Sequence, residues 1–153
     1  MKLLYLKTQE EFEAEIAELE ENDLKWIKES KQFQFNWAKE ENVFKLIPSN
    51  IDDPEILGLI SILNIPDEFR IHINLIESSN DNKGKNKQID RVAGCLLAFA
   101  AQLSFEKGYL EFTSLLPKTE LIKLYINKYG FSQFGRQLAV ETKEAIKLIQ
   151  KYL

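Results

Sequence analysis

Phe69-Arg-Ile-His-Ile-Asn-Leu-Ile-Glu77 leads through Ser78-Ser-Asn-Asp-Asn-Lys-Gly-Lys-Asn-Lys87 into Gln88-Ile-Asp-Arg-Val-Ala-Gly94. The first stretch is an apolar strand with Ile71, Ile73 and Leu75 on one face and His72 and Asn74 on the other. The second is polar, with no apolar residue from Asn80 to Asn86, and predicts an exposed loop. The third opens a helix of small and apolar residues, predicted over Asp90–Lys107, with Gly108 placed as its C′ residue. A strand that feeds through such a loop into a helix N-terminus makes an anion site: the first turn leaves N–H groups unpaired and the macrodipole is positive there. Lys83, Lys85, Lys87 and Arg91 add four cations within nine residues. The stretch therefore predicts a site for a phosphate-bearing cofactor.

On the N-terminal side of this stretch, Ile56-Leu-Gly-Leu-Ile-Ser-Ile-Leu63 is a nearly continuous apolar run closed by Asn64-Ile-Pro-Asp67, which predicts an antiparallel hairpin with the strand from Arg70 to Ile76. Val43–Ile47 and Phe33–Trp37 read as further strands, giving a meander of three or four. Leu3–Leu6 predicts a short first strand. Thr8-Gln-Glu-Glu11 has the form of a capping box, and Phe12, Ile16 and Leu19 recur at helical spacing, so Glu10–Glu21 is expected to be an acidic amphipathic helix. Leu24–Ser30 is expected as a second short helix. On the C-terminal side, Tyr109–Leu115 predicts a strand, and Glu120–Lys128 a helix with Thr119 as N-cap and Gly130 at its end. Phe134–Val140 predicts a last strand, and Lys143–Leu153 a terminal helix.

At 153 residues and 44% hydrophobic content the chain suits one α+β domain over residues 1–153, burying about 70% of its unfolded surface. A net charge of −4 argues against nucleic-acid binding by general electrostatics, which needs a basic face. The single cysteine, Cys95, excludes an intramolecular disulfide framework. The N-terminus lacks a signal-like apolar run, and no stretch is long enough to span a membrane. A cytoplasmic protein is the expectation.

This order of elements, with Gly58-Leu-Ile-Ser61, His72–Ser78, Val92-Ala-Gly-Cys-Leu-Leu97 and Lys128-Tyr-Gly-Phe131, resembles the GCN5-related N-acetyltransferase (GNAT) family. The resemblance runs from about Phe33 to Val140. It implies a GNAT-like mixed, mostly antiparallel twisted sheet flanked by helices, and acetyl-CoA as cofactor. Family members wrap the cofactor pyrophosphate with a Gln/Arg-x-x-Gly-x-Gly/Ala loop. The matching segment here is Gln88-Ile-Asp-Arg91-Val-Ala93, in which Gln88 and Ala93 fit and Arg91 stands at the first glycine. Arginine there adds bulk where glycine lets backbone approach phosphate, and also offers a bidentate phosphate ligand.

The residues implied to hold acetyl-CoA are Gln88, Arg91, Val92, Ala93 and Gly94 at the phosphates, with Lys85 beside them. Leu75 and Ile76 would lie along the pantetheine arm, where the family has a strand bulge. Glu77 is the candidate general base, since acetyl transfer to an ammonium requires loss of a proton. On a regular strand it falls on the apolar face, so either the strand ends there or a bulge shifts its register. Tyr125 is the candidate acid for the leaving thiolate. His72 could line an acceptor cleft or make a plain surface contact. Cys95 reads as a packed thiol. The expected activity is acetyl-CoA-dependent transfer of an acetyl group to an amine of unknown type by direct attack. The alternative is a GNAT-like module that binds a protein partner or CoA without turnover. No metal site is expected, and the last strand could pair between two copies in a homodimer.

Overall fold

The computed structural model describes residues 1–109, 112–117 and 121–153. Nine strands and four helices are present among them, in a mixed and mostly antiparallel sheet arrangement. The chain divides into two compact units, Met1–Ser61 with Leu75–Leu96, and Ile62–Asn74 with Leu97–Leu153.

In the first unit, β1 (Lys2–Tyr5) and β2 (Glu10–Glu18) form an antiparallel hairpin in register Leu3↔Phe12. Gln9 closes its turn at φ 60°, and Thr8 Oγ1 accepts the Glu10 N–H at 3.3 Å. The acidic helix expected over Glu10–Glu21 is therefore a strand. Phe12, Ala14 and Ile16 recur every second residue as well as marking a helical face, and the burial along β2 alternates with period two, Ala14 being buried between exposed Glu13 and Glu15. The hydroxyl assigned to a helix cap instead serves the hairpin turn. β2 continues the sheet to β3 (Val43–Pro48), which pairs antiparallel with β4 (Gly58–Ile65).

Helix α1 (Glu21–Ser30) follows β2, where Leu24–Ser30 is predicted helical. Its start is fixed by the Glu20 N–H donating to Asp23 Oδ2 at 2.8 Å, while Asp23 Oδ2 also meets Lys45 Nζ at 2.7 Å. Phe33–Trp37, expected as a strand, has no ladder partner and ends in a 3-10 turn, Trp37–Lys39. Trp37, 2% exposed, packs with Ile27, Val43, Ile47, Ile56 and Leu59, and Phe33, Phe35 and Leu75 lie against this cluster. Fully burying each such side chain contributes ~1.5–3 kcal/mol.

β4, β5 (Arg70–Ser78) and α2 (Val92–Glu106) each contribute residues to both units. β4 and β5 are sheet neighbours joined through the 3-10 turn Pro66–Glu68, as the predicted hairpin requires. β6 (Ile89–Asp90) pairs antiparallel with β1 in the first unit.

In the second unit, β5 runs parallel to β7 (Thr113–Leu115) in register His72↔Ser114. A parallel neighbour demands a crossover, and α2 supplies it. Gly108, at φ 78°, ends that helix in the left-handed region. The strand predicted over Tyr109–Leu115 begins only at Thr113 among the described residues; Leu110 and Glu111 lie outside them, as do Thr119 and Glu120 of the predicted next helix. α3 (Ile122–Tyr129) ends at Gly130, φ 78°. The single last strand expected over Phe134–Val140 is a hairpin, β8 (Ser132–Phe134) and β9 (Gln137–Val140), turned at Gly135 with φ 63°. β9 also pairs with β7. α4 (Thr142–Tyr152) closes the chain and buries Ala145, Leu148 and Tyr152.

Candidate functional site

In the first unit, β5 passes into a loop that is more ordered internally than its composition predicts. Asn82 is buried at 7% exposure. Its Oδ1 accepts the Ile89 N–H at 3.1 Å and its Nδ2 donates to Ser79 Oγ at 2.7 Å. The Gln88 N–H donates to the Asp81 carbonyl at 2.8 Å, and the Gln88 carbonyl accepts the Leu6 N–H at 2.9 Å. The segment predicted to wrap phosphate is thus pinned on one side by a buried asparagine and on the other by the β1–β6 ladder. Expecting full exposure from Asn80 to Asn86 missed Asn82, whose amide replaces the absent apolar contacts.

Arg91 stands immediately before α2 at φ 78°. Its carbonyl accepts the Cys95 N–H at 2.9 Å, so it occupies the helix-capping position. Positive φ costs a residue with a Cβ roughly 1–2 kcal/mol, and glycine alone avoids that cost. Arg91 therefore holds a left-handed backbone conformation that glycine adopts without that cost. Its guanidinium turns to Glu11 on β2, with Nη1 to Oε2 at 2.7 Å. The Arg91 hydrogen bond, with its charge, holds the Glu11 carboxyl below its usual range.

Two of the other loop cations are also paired, Lys87 with Asp90 at 2.7 Å and Lys83 with Glu77 at 3.6 Å. Lys85 makes no ion pair among the described residues. In the first turn of α2, the N–H groups of Val92, Ala93 and Gly94 have no carbonyl four residues back within the helix. Val92 sits directly over Gly58, where an added Cβ would lie 2.8 Å from Val92 Cγ1 and 2.9 Å from Leu96 Cδ1. Gly58 thereby lets the first turns of the helix seat on β4.

Burial along β5 stays on the odd positions through Ile71, Ile73 and Glu77, and the strand continues to Ser78. Glu77 thus keeps the parity of the apolar face without ending the strand. Its side chain is 4% exposed. Oε2 accepts the Gln34 N–H at 2.8 Å, and Oε1 accepts Trp37 Nε1–H at 2.9 Å and the Phe35 N–H at 3.3 Å. One carboxylate thus satisfies three donors of an irregular segment some forty residues earlier in the chain. Leu75 packs on the Trp37 cluster beside it, and Ile76 is half-buried.

Tyr125 belongs to the second unit. It is buried on α3, with its ring 5.6 Å from Phe131 and 6.0 Å from Tyr129. Burial pushes its phenol up to about 12, so it is protonated at neutral pH. Cys95 is fully buried and its thiol is pushed up to about 11 by desolvation. His72 is half-buried, and burial together with the Arg70 charge lowers its pKa. Among the described residues no group of three or more His, Cys, Asp or Glu could hold a metal ion, and no helix is long and apolar enough to cross a membrane.

Sequence reasoning missed Glu11, Asn82 and Arg70. Glu11 acts through Arg91, a partner distant in sequence, and Asn82 acts through Ser79 and Ile89 within its own loop; no hydrophobic pattern marks either.

No protein-family model matches the chain, and no curated protein sequence matches it. Solved structures do. A chimera of the spermidine N-acetyltransferase SpeG from Vibrio cholerae and hSSAT superposes with a TM-score of 0.59 at 14% identity, over 87% of this chain and 98% of that one. A domain from Methanocaldococcus jannaschii gives 0.58 at 11% identity, over 83% and 96%. AtaTR bound with AcCoA gives 0.54 at 13% identity, over 88% and 97%. Identities this low speak to the fold alone. The chain has a GNAT-like fold, the mixed sheet and helices of the GCN5-related N-acetyltransferases.

Proposed function

We propose that this chain binds acetyl-CoA at the N-terminus of α2 and transfers the acetyl group to an amine. The observation that supports the reading is Arg91 at φ 78°: a left-handed backbone of the kind glycine favours stands at the head of a 15-residue helix, at the position where the resemblance implies a glycine of a phosphate-wrapping loop. Strained backbone is retained where the surrounding structure enforces it, and such positions cluster at ligand sites. The likeness to a structure bound with AcCoA supports the choice of ligand.

In this proposal the N–H groups of Val92, Ala93 and Gly94 receive the pyrophosphate, with Gln88 and Lys85 beside it. Arg91 contributes its backbone, its guanidinium being committed to Glu11. Leu75 and Ile76 offer strand backbone to the pantetheine arm. Bound acetyl-CoA supplies a thioester whose carbonyl carbon an amine attacks, releasing the thiol. Tyr125 is in the protonation state that a proton donor needs. Glu77 acts by position: its two oxygens already serve three N–H groups, so the proton lost by the attacking amine goes to water.

A second reading is a module that binds the cofactor or a partner without turnover. Its support is the internal pairing of Lys83, Lys87 and Arg91, which leaves little uncompensated positive charge for phosphates. A thermal-shift titration tests the first step. Acetyl-CoA at ~100 times its Kd adds about 2.7 kcal/mol, a rise of roughly 5–10 °C for a chain of this size. No shift at millimolar acetyl-CoA overturns the binding claim. A shift with no release of free thiol across a panel of amines selects the second reading.

A further inference from the structure

The second unit holds a polar cluster that the cofactor reading does not use. A cavity of ≈ 240 Å³ is lined by Glu68, Arg70, Phe112, Ser114, Phe134 and Gln137, with Ala139 at its wall. Arg70 leaves the even face of β5 with its side chain only 15% exposed. Nε donates to Glu68 Oε2 at 2.6 Å. Nη1 donates to Ser114 Oγ at 2.6 Å and Gln137 Oε1 at 3.0 Å, and lies 3.1 Å from His72 Nδ1. His72 Nδ1 is in turn 2.9 Å from Ser114 Oγ. Four side chains thus fix one guanidinium, while its Nη2 donors and the Gln137 Nε2 donors make no hydrogen bond among the described residues.

The charge balance selects the ligand. Arg70 and Glu68 carry opposite unit charges, and His72 is neutral at neutral pH because burial and Arg70 lower its pKa. Among the described residues no other ionisable side chain lines the cavity. A simple anion gains little from a guanidinium already balanced by a carboxylate, and a multiply charged phosphate meets Glu68 as a repulsive neighbour. A zwitterion matches both ends of the pair. The volume is below the ~300–1,000 Å³ typical of drug-sized ligands, and Phe112 and Phe134 supply an aromatic wall.

We propose that this cavity binds a free α-amino acid with an apolar side chain. Its carboxylate lies on the open donors of Arg70 and Gln137, its ammonium on Glu68, and its side chain against Phe112 and Phe134. Unlike an anion site, it requires both charges of the ligand.

Isothermal titration of the full chain with L-phenylalanine, L-phenylalaninamide, 3-phenylpropionate and inorganic phosphate tests this. L-Phenylalanine is expected to bind at millimolar concentration or better. The amide, without a carboxylate, and 3-phenylpropionate, without an ammonium, are each expected to bind about tenfold more weakly, the loss of one charge-assisted contact. Phosphate is expected to give no heat. Glu68→Gln alters a side chain that is 57% exposed and leaves folding intact. It is expected to weaken L-phenylalanine and strengthen 3-phenylpropionate, reversing their order. Absence of L-phenylalanine binding overturns the proposal, as do equal affinities for the three aromatic ligands or an unchanged order in Glu68→Gln.

Discussion

Replacing Glu77 by Gln removes one acceptor oxygen from a buried carboxylate while keeping its size. Whichever way the amide is turned, its NH2 faces a donor: the Gln34 N–H at 2.8 Å, or Trp37 Nε1–H at 2.9 Å together with the Phe35 N–H at 3.3 Å. A buried donor left facing no acceptor costs ~1–3 kcal/mol, and the surviving bond falls from charge-assisted to neutral, about half its strength. The Lys83 contact, at 3.6 Å and with Lys83 39% exposed, adds little because solvent screens it. The sum is about 2–4 kcal/mol, lowering Tm by roughly 4–16 °C for a chain of this length. Circular-dichroism melts measure the loss. Tryptophan emission localises it, because Trp37 is 2% exposed and loses its indole partner. A Glu77→Gln protein with wild-type Tm and emission refutes the anchoring role. If such a protein also loses acetyl transfer, Glu77 is the general base after all.

Three further outcomes test the architecture. Gly58→Ala places a methyl within 2.9 Å of the buried Val92 and Leu96 side chains, and overpacking of this kind costs about 1–3 kcal/mol; its Tm should fall by ~2–12 °C, with acetyl-CoA affinity falling too as the first turn of α2 lifts. Arg91→Gly and Arg91→Ala both lose the Glu11 ion pair, but only alanine keeps a Cβ at positive φ, so the glycine variant should melt ~2–4 °C higher, about 1 kcal/mol; equal melting temperatures contradict the assigned φ. His72 has a folded pKa below the ordinary histidine value of about 6.5, so as pH falls through that value the unfolded chain binds the proton first. Its stability contribution is present above pH 6.5 and is lost as pH falls through the folded pKa. His72→Gln should therefore show a shallower loss of Tm between about pH 7 and 5, and an unchanged slope counts against the buried, Arg70-facing position.

The parts of the fold legible in the sequence are those where one periodicity stands alone. The β5 strand, the buried helix ending at Gly108, and the helices ending at Gly130 and Leu153 follow from pattern and punctuation. Glu10–Glu18 was not legible because Phe12, Ala14 and Ile16 satisfy a two-residue repeat while Phe12, Ile16 and Leu19 satisfy a helical one. Only the pairing of β2 with β1 and β3 decides between them. Phe33–Trp37 alternates like a strand, yet its donors go to a carboxylate at position 77 instead of a neighbouring strand. The strand, loop and helix that frame the candidate site were readable. The destinations of Lys83, Lys87 and Arg91 were not, since Glu77, Asp90 and Glu11 take them up through the folded geometry.

At residue 91 the chain uses a shape that its side chain does not favour. The Asn82 amide and the β1–β6 ladder grip the preceding residues, and the Glu11 carboxylate holds the arginine from the other side. A positive φ is a torsion angle that glycine adopts freely, and an angle can be enforced from outside the residue. Where neighbours enforce it, the residue need not be glycine, and an arginine can hold the angle at the head of the helix. Loops of this kind are better sought by their dihedral angles than by their glycines.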